Sequence, residues 1–363
     1  AQDAATTYPH KTITMIVPYA PGGSSDARAR QLAQKLSEYF GQSVIVDNKS
    51  GGSGNIGTNA IAKATPDGYT IGIGNFGPLT VNKTLIPSTP YNPLTDLTPI
   101  ILVEKGPVVL LVNAEKSPYK DLKTFIAKDL FASATQALQT NKPTLKLSQL
   151  QLLPVIPNPD KIFCVGLNYG EHVKETGREV TETPVIFLRL ADSQVAHGQD
   201  ILRPPESHRL DYEAEIAIII GKGGRRIAEK DAWDHIAGYS CYNDGSVRDW
   251  QVATSQWIPG KNFYKTGGFG PWMVTSDEIA PGQVMRLQTV LNGQVLQDTT
   301  TDKMIHSIPR QIAYISTFTP LSPGDVIVTG TPGGVGNKRN PPVYMKPGDV
   351  CEIVVDAIGT LRN

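Results

Sequence analysis

The sequence predicts a two-part molecule, an α/β lobe followed by a β-rich α+β domain. Three observations lead there. Strand-like and helix-like periodicities alternate over the first 75 residues. An unbroken apolar run, Ile216-Ala217-Ile218-Ile219-Ile220 closed by Gly221, marks a buried strand in the second half. Downstream, Ser322-Pro323-Gly324-Asp325-Val326 is echoed by Lys346-Pro347-Gly348-Asp349-Val350, each a Pro-Gly turn launching an apolar strand. A chain of 363 residues is long enough to bury two cores.

In the first part, residues 12–18 read as a strand and Tyr19-Ala20-Pro21-Gly22-Gly23-Ser24-Ser25-Asp26 as a turn. Ala29, Leu32, Ala33, Leu36 and Phe40 then recur at helical spacing until Gly41 stops the helix. Residues 43–47 form a second strand, residues 50–55 lead into a second helix, and residues 69–74 form a third strand. A further strand is expected at 108–112. Ala132, Ala134, Ala137 and Leu138 suggest a short helix, broken by Asn141-Lys142-Pro143. Gly72-Ile73-Gly74-Asn75-Phe76-Gly77 matches a dinucleotide fingerprint but follows the third strand and runs into Pro78, so it is set aside.

The second part carries the chemistry. In Asp211-Tyr212-Glu213-Ala214-Glu215, Glu213 and Glu215 share a strand face roughly 7 Å apart. Two like charges at the mouth of an apolar strand need either solvent or a cation, and by themselves they read equally as a solvated edge. Asp244, in a polar loop, is a third candidate carboxylate. His172 and Glu175, three apart, share a face if 171–177 is helical; His172 then acts as a general base that Glu175 orients. Gly170 and Gly177 flank this segment and allow it to move as a lid.

An ordered set of motifs from about residue 145 to the C-terminus resembles the fumarylacetoacetate hydrolase superfamily. It comprises Val165-Gly166-Leu167-Asn168-Tyr169-Gly170-Glu171-His172, the Asp211–Lys222 stretch, Cys241 to Gln251, Gly260-Lys261-Asn262-Phe263, and Thr329-Gly330-Thr331-Pro332-Gly333-Gly334. The resemblance implies a mixed β-sandwich or roll that homodimerises through this domain. It also implies a site for Mg²⁺, with Mn²⁺ or Ca²⁺ as alternatives, held by Glu213, Glu215 and Asp244. A 2-oxo acid would fill the open coordination positions, and the cation would stabilise the enolate formed as the adjacent C–C bond breaks. Lys261 would add a second positive charge. Thr331 and the amides of its Gly-rich loop, with Arg248 and Gln251, would bind substrate. Arg189 stands where many relatives place a Lys that reaches the substrate region, and a planar fork there puts the substrate in question. The implied reaction is hydrolysis of a 2,4-dioxo acid; decarboxylation or enol–keto isomerisation on the same site is the alternative. A carboxylate-binding protein with a vestigial enzyme half is the alternative of another class.

Pro18 to Asp26, with Asp67-Gly68-Tyr69-Thr70, resembles the solute receptors of the tripartite tricarboxylate transporter family. Those receptors hold a carboxylate between two lobes, and here the resemblance stops near Lys128. The organisation expected is therefore 1–128 as a partial receptor-like lobe, 129–146 as a connecting segment and 147–363 as the catalytic domain.

Zero net charge offers no electrostatic case for nucleic acid, and the longest apolar run is too short to span a membrane. Cys164, Cys241 and Cys351 are scattered, with neither disulfide nor metal spacing, and six dispersed His argue against zinc. The start Ala1-Gln2-Asp3 resembles the end left by signal-peptide removal. Receptors of that family are exported and the hydrolases are usually cytoplasmic, so the compartment stays open.

Overall fold

The computed structural model describes residues 8–75, 77–100, 121–140 and 150–363. The chain forms two compact units, Ala1–Gly106 and Pro107–Asn363. The first is built from β1 (Ile13–Val17), α1 (Ser24–Phe40), β2 (Val44–Asn48), α2 (Asn55–Ala62), β3 (Thr70–Gly72) and the short α3 (Asn82–Leu85). Its three strands run parallel in the order β2-β1-β3, the arrangement that strand–helix alternation anticipates. α1 buries Ala29 and Ala33 against Ile13, Met15 and Val17, with Leu32, Leu36 and Phe40 at the margin. Gly41 ends α1 in the left-handed region (φ 64°), its N–H bonding the Ser37 carbonyl. The strand expected at 108–112 lies outside the described residues.

The second unit begins with α4 (Leu122–Ala127) and α5 (Phe131–Thr140). The units divide after Gly106, some twenty residues before the boundary expected near Lys128. The physical reason is apolar. Asp121 caps α4 by accepting a hydrogen bond from the Thr124 N–H at 2.6 Å, and Ile126 is buried with Ile156, Ile162 and Val326 of the second unit.

There follow β4 (Ile162–Gly166), α6 (Gly170–Thr176), β5 (Val185–Arg189), β6 (Gln194–Val195), β7 (Leu210–Asp211), β8 (Ala214–Ile220), β9 (Ile236–Asn243) and β10 (Ser246–Val247). Next come α7 (Arg248–Gln251), α8 (Ile258–Lys261), β11 (Gly267–Thr275), β12 (Arg286–Leu291), β13 (Gln294–Thr300), α9 (Ile308–Phe318), β14 (Val326–Val328), β15 (Cys351–Val355) and β16 (Gly359–Arg362). A mixed seven-stranded sheet has the order β5-β4-β14-β8-β9-β11-β6, and a four-stranded antiparallel sheet the order β13-β12-β15-β16.

β8 is central, and all seven of its residues are buried. Ile216, Ile218 and Ile220 face Leu287, Ile353 and Val355 of the smaller sheet, whereas Ala217 and Ile219 face Cys164, Val326 and Val328. Each buried Ile contributes roughly 1.5–3 kcal/mol, which anchors the polar residues at the strand's start. The repeated Pro-Gly-Asp turns are alike. Gly324 and Gly348 lie at φ 83° and 88°, and the Asp325 and Asp349 carboxylates accept from the N–H of Ser322 and Lys346 at 2.7 and 2.8 Å. Among the described residues no helix is long and apolar enough to cross a membrane.

Candidate active site

Glu213, Glu215 and Asp244 converge where β8 begins and β9 ends. One oxygen from each lies within 4.8 Å of the others, and all three side chains are buried. The expected single strand is interrupted at Tyr212 and Glu213, so Glu213 sits one residue before β8. Its N–H bonds the Asn243 side chain at 3.0 Å and its carbonyl accepts from the Asp244 N–H at 2.9 Å, which locks the two acid-bearing segments together. Gly245 permits the turn: a Cβ there would lie 1.9 Å from the Thr266 carbonyl oxygen.

Three buried cations face this cluster. Lys261 Nζ lies 2.7 Å from Glu213 Oε2 and 2.6 Å from Asp244 Oδ2. Arg248 pairs with Glu213 at 2.7 Å and with Asp211 at 2.8 Å. Arg189 pairs with Asp244 at 2.5 Å. Burial by itself would raise the Glu213 carboxyl, but Lys261, Arg248 and the nearby His172 outweigh it and hold it at about 2. Glu215 has no cationic partner among the described residues and accepts only from the Gly330 N–H, at 2.5 Å. Burial, then Asp244 and Glu213, push its carboxyl well above the usual range. Counting Asp211, four buried carboxylates face three buried cations. The residues fit a hard divalent ion: three carboxylate oxygens, one acid uncompensated, and no soft ligand available. The neighbouring Cys164 thiol is kept protonated, its pKa raised first by burial and then by Asp244 and Glu215.

α6 brings the second constellation. His172 is buried, and its Nδ1 lies 2.7 Å from Glu175 Oε1. Glu175 Oε2 accepts from the Gly334 N–H at 2.9 Å, so the pair is assembled against the Gly-rich loop. Three further amides of that loop are engaged too. Gly330 donates to Glu215, and Gly336 and Asn337 donate to Asp211 at 2.8 Å each. The loop was expected to offer its amides to a substrate carboxylate. It holds carboxylates, but these four amides hold the protein's own, and the loop thereby fixes the geometry of the site. Thr331 keeps a free donor, since its hydroxyl oxygen accepts from Gln297 at 3.0 Å.

Glu213, Glu215 and His172 line one cavity of ≈ 150 Å³, together with Arg248, Gln251, Lys261 and Thr331, while Asp244 and Glu175 stand behind that lining. Gln251 accepts from Arg248 at 2.9 Å. Lys261 is enclosed rather than a surface lysine, and its ammonium also lies 4.9 Å from the Phe187 ring centre. Arg189 departs from expectation. Its side chain is wholly enclosed and does not line the cavity. It donates to Asp244, the Gly245 carbonyl at 3.0 Å and Thr266 Oγ1 at 3.0 Å, contacts that hold Asp244 in place.

Sequence reasoning passed over Asp211, although it opens the acidic stretch. It also missed Trp257, Arg178, Asn337 and Lys338, which line the cavity. Trp257 closes over β4 because Gly166 has no side chain; a Cβ there would lie 2.4 Å from its ring. Nothing local in the sequence signals these residues, which reach the cavity from α6, α8 and the loop after β14.

The Fumarylacetoacetate (FAA) hydrolase C-terminal model matches residues 161–363, and the Tripartite tricarboxylate transporter family receptor model matches residues 28–133. A mitochondrial oxaloacetate tautomerase of Xenopus laevis is 41% identical over 233 residues, 64% of this chain and 73% of that protein. Among solved structures, a fumarylacetoacetate hydrolase of Exiguobacterium antarcticum is 32% identical with a TM-score of 0.58, covering 69% of this chain and 89% of that one. A fumarylpyruvate hydrolase of Pseudomonas aeruginosa, in complex with Mn²⁺ and pyruvate, is 29% identical with a TM-score of 0.52, covering 58% and 90%.

Proposed function

Because the chain belongs to the fumarylacetoacetate hydrolase family through residues 161–363, we propose that its second unit is a divalent-metal-dependent enzyme that moves a proton at C3 of a 2-oxo acid, interconverting its keto and enol forms. The observation that carries this reading is that one small cavity is lined both by Glu213 and Glu215 of a buried acid cluster and by His172 of a His–Glu pair. Glu213, Glu215 and Asp244 would hold the ion, Mg²⁺ in the cell, with Mn²⁺ supported by the hydrolase complex above. The bound ion would supply Lewis acidity to the carboxylate and keto oxygens of the substrate.

The chain's own residues do the rest. With Nδ1–H donated to Glu175, His172 presents Nε2 as the unprotonated nitrogen, able to take the proton from C3 and, as imidazolium, to deliver it to the 2-oxygen, the reverse transfer restoring the keto form. Glu175 stabilises the imidazolium formed in between. Lys261 and Arg248 keep Glu213 ionised, and Thr331 donates to a substrate carboxylate oxygen. Trp257 and Phe187 exclude water from the cavity walls.

Hydrolytic cleavage of a 2,4-dioxo acid is a second reading, favoured by the likeness to the fumarylpyruvate hydrolase. There His172 would instead deprotonate a water attacking the distal carbonyl. One preparation decides between them. Decay of the enol form of oxaloacetate is followed by ultraviolet absorbance, and cleavage of acetylpyruvate by pyruvate release, each with and without added Mg²⁺. Acceleration of the first, with little of the second, supports tautomerisation. Absence of any Mg²⁺-dependent acceleration of either refutes both. The first unit, matched to a receptor family over residues 28–133, takes no part in this chemistry in our reading.

A further inference from the structure

Arg339 follows the Gly-rich loop, and among the described residues its side chain meets only uncharged oxygens. Its Nε–H is shared between the Tyr212 hydroxyl oxygen at 3.0 Å and the Gly334 carbonyl at 3.2 Å. Its Nη2 donates to the Leu296 carbonyl. Tyr212, wholly buried between Asp211 and Glu213, donates its own hydroxyl to the same Gly334 carbonyl at 3.2 Å.

The local chain explains why these groups meet. The Leu296 carbonyl is available because β13 bulges. Thr289 of β12 pairs with Gln297 and Val290 with Val295, which leaves Leu296 out of the ladder. Gly334 lies at φ 97°, and a Cβ there would sit 2.6 Å from that Leu296 oxygen, so glycine brings the loop this close. The planar Arg339 fork then ties a carbonyl of β13 to a carbonyl of the loop at a set separation.

The N–H of Gly334 carries the consequence. It donates to Glu175 Oε2 at 2.9 Å, and Glu175 Oε1 lies 2.7 Å from His172 Nδ1. The Glu175 side chain is 21% exposed and rides on α6, seven residues long and flanked by Gly177. So short a helix does not hold its own place. The Gly334 amide gives the carboxylate its direction, and Arg339 with Tyr212 gives Gly334 its place.

Resting on the reading of His172 as the base, we propose that Arg339 and Tyr212 form a clamp on Gly334 that docks Glu175, and with it α6, in the position that orients His172. They are positioning residues and take no part in the proton transfer.

The test uses the full chain with Mg²⁺ and follows the decay of oxaloacetate enol. Arg339→Gln and Tyr212→Phe should each lower kcat roughly tenfold, the effect of a small misplacement, and by no more than Glu175→Ala does. KM, and Mn²⁺ affinity by calorimetry, should stay within about threefold. In a Glu175→Ala background, where nothing is left to dock, Arg339→Gln should cost less than about twofold. Arg339→Lys should recover part of the rate. Hydrogen exchange of the metal-free protein should quicken in α6 and stay unchanged in β8. Tyr212→Phe removes a single oxygen, which keeps the test open should Arg339→Gln fail to fold. A full loss that persists in the Glu175→Ala background, or weakened Mn²⁺ binding, overturns the clamp, because the residues then act elsewhere. Unchanged kcat and unchanged α6 exchange in both single variants also overturn it, and leave the His172 reading standing where Glu175→Ala is slow. A Glu175→Ala enzyme at the wild-type rate, or a wild type inert towards every 2-oxo acid, overturns the His172 reading instead. The exchange of α6 then decides the docking alone: quickened exchange supports the clamp and unchanged exchange overturns it.

Discussion

Arg189 decides between two accounts of the site, because its place in the sequence suggests substrate contact and its place in the fold suggests support. Its guanidinium is enclosed and pairs with Asp244, and it also donates to the Gly245 carbonyl and Thr266 Oγ1. Arg189→Ala would leave Asp244 with Lys261 as its remaining cation and strand two further acceptors. Removing one partner of a buried pair costs about 3–5 kcal/mol, which for a domain of this size lowers its melting temperature by roughly 6–20 °C. Arg189→Lys keeps the charge but not the fork. It should lose one or two charge-assisted hydrogen bonds, about 1–3 kcal/mol, and weaken metal binding roughly tenfold by loosening Asp244. At saturating metal its KM should stay within about threefold of wild type, because the side chain is outside the cavity. Stability is read by denaturant titration of tryptophan fluorescence, which reports the second unit alone since all four Trp lie there. Metal affinity is read by calorimetry. An Arg189→Lys enzyme with unchanged stability and metal affinity but a KM raised tenfold would refute the supporting role.

Glu213→Ala or Glu215→Ala should remove bound metal and activity together, since the three oxygens within 4.8 Å would be reduced to two; full metal occupancy by elemental analysis in either would sink the ligand assignment. His172→Ala should slow tautomerisation or dioxo-acid cleavage by roughly 10²–10⁴-fold, the worth of a general base, and slow any oxaloacetate decarboxylation much less; Glu175→Gln should act in the same direction more mildly. A rate within a few-fold of wild type would remove the pair from the mechanism. A chain beginning at Pro107 should retain turnover, whereas one beginning at Phe131 should be less stable by roughly 1.5–3 kcal/mol from loss of buried Ile126 alone; equal stability of the two would contradict the packing of α4. In the first unit, Arg30, the Gly22 N–H and Asn48 lower the Asp26 carboxyl to about 2. A folded pKa below the unfolded value of about 3.9 contributes stability that is fully present above the unfolded pKa and lost as pH falls through 2. The protection of α1 amides, their exchange rates taken relative to the intrinsic rate at each pH, should therefore fall between pH 4 and 2, and Asp26→Asn should flatten that dependence.

Much of the site was legible because the residues that carry it are locally patterned. The run from Ile216 to Ile220 identifies a buried strand whatever surrounds it, and the two acids just before the run inherit its burial. His172 and Glu175 meet because three residues separate them on one helical turn. The twin Pro-Gly-Asp turns need left-handed glycines and are recognisable for that reason. Side-chain reach across the fold added what spacing does not carry: Arg189 turns towards Asp244, the Gly330, Gly334, Gly336 and Asn337 amides hold Glu215, Glu175 and Asp211, and α4 joins the second unit through Ile126.

The sequence by itself determined an α/β lobe ahead of a β-rich domain, the three acids, and the pairing of a histidine with a glutamate. Periodicity and spacing encode the lobe, the paired glutamates and the His–Glu pair, because these depend on neighbours within a few residues, whereas Asp244 joined the acids through the resemblance to the family. Only the tertiary structure decided which charges balance. Glu213 and Glu215 are alike in sequence, yet Lys261 and Arg248 pair with one and, among the described residues, no cation pairs with the other. That distinction, on which the proposed metal site rests, arises because α7, α8 and the loop after β14 converge from far along the chain on a buried point where an uncompensated charge is costly.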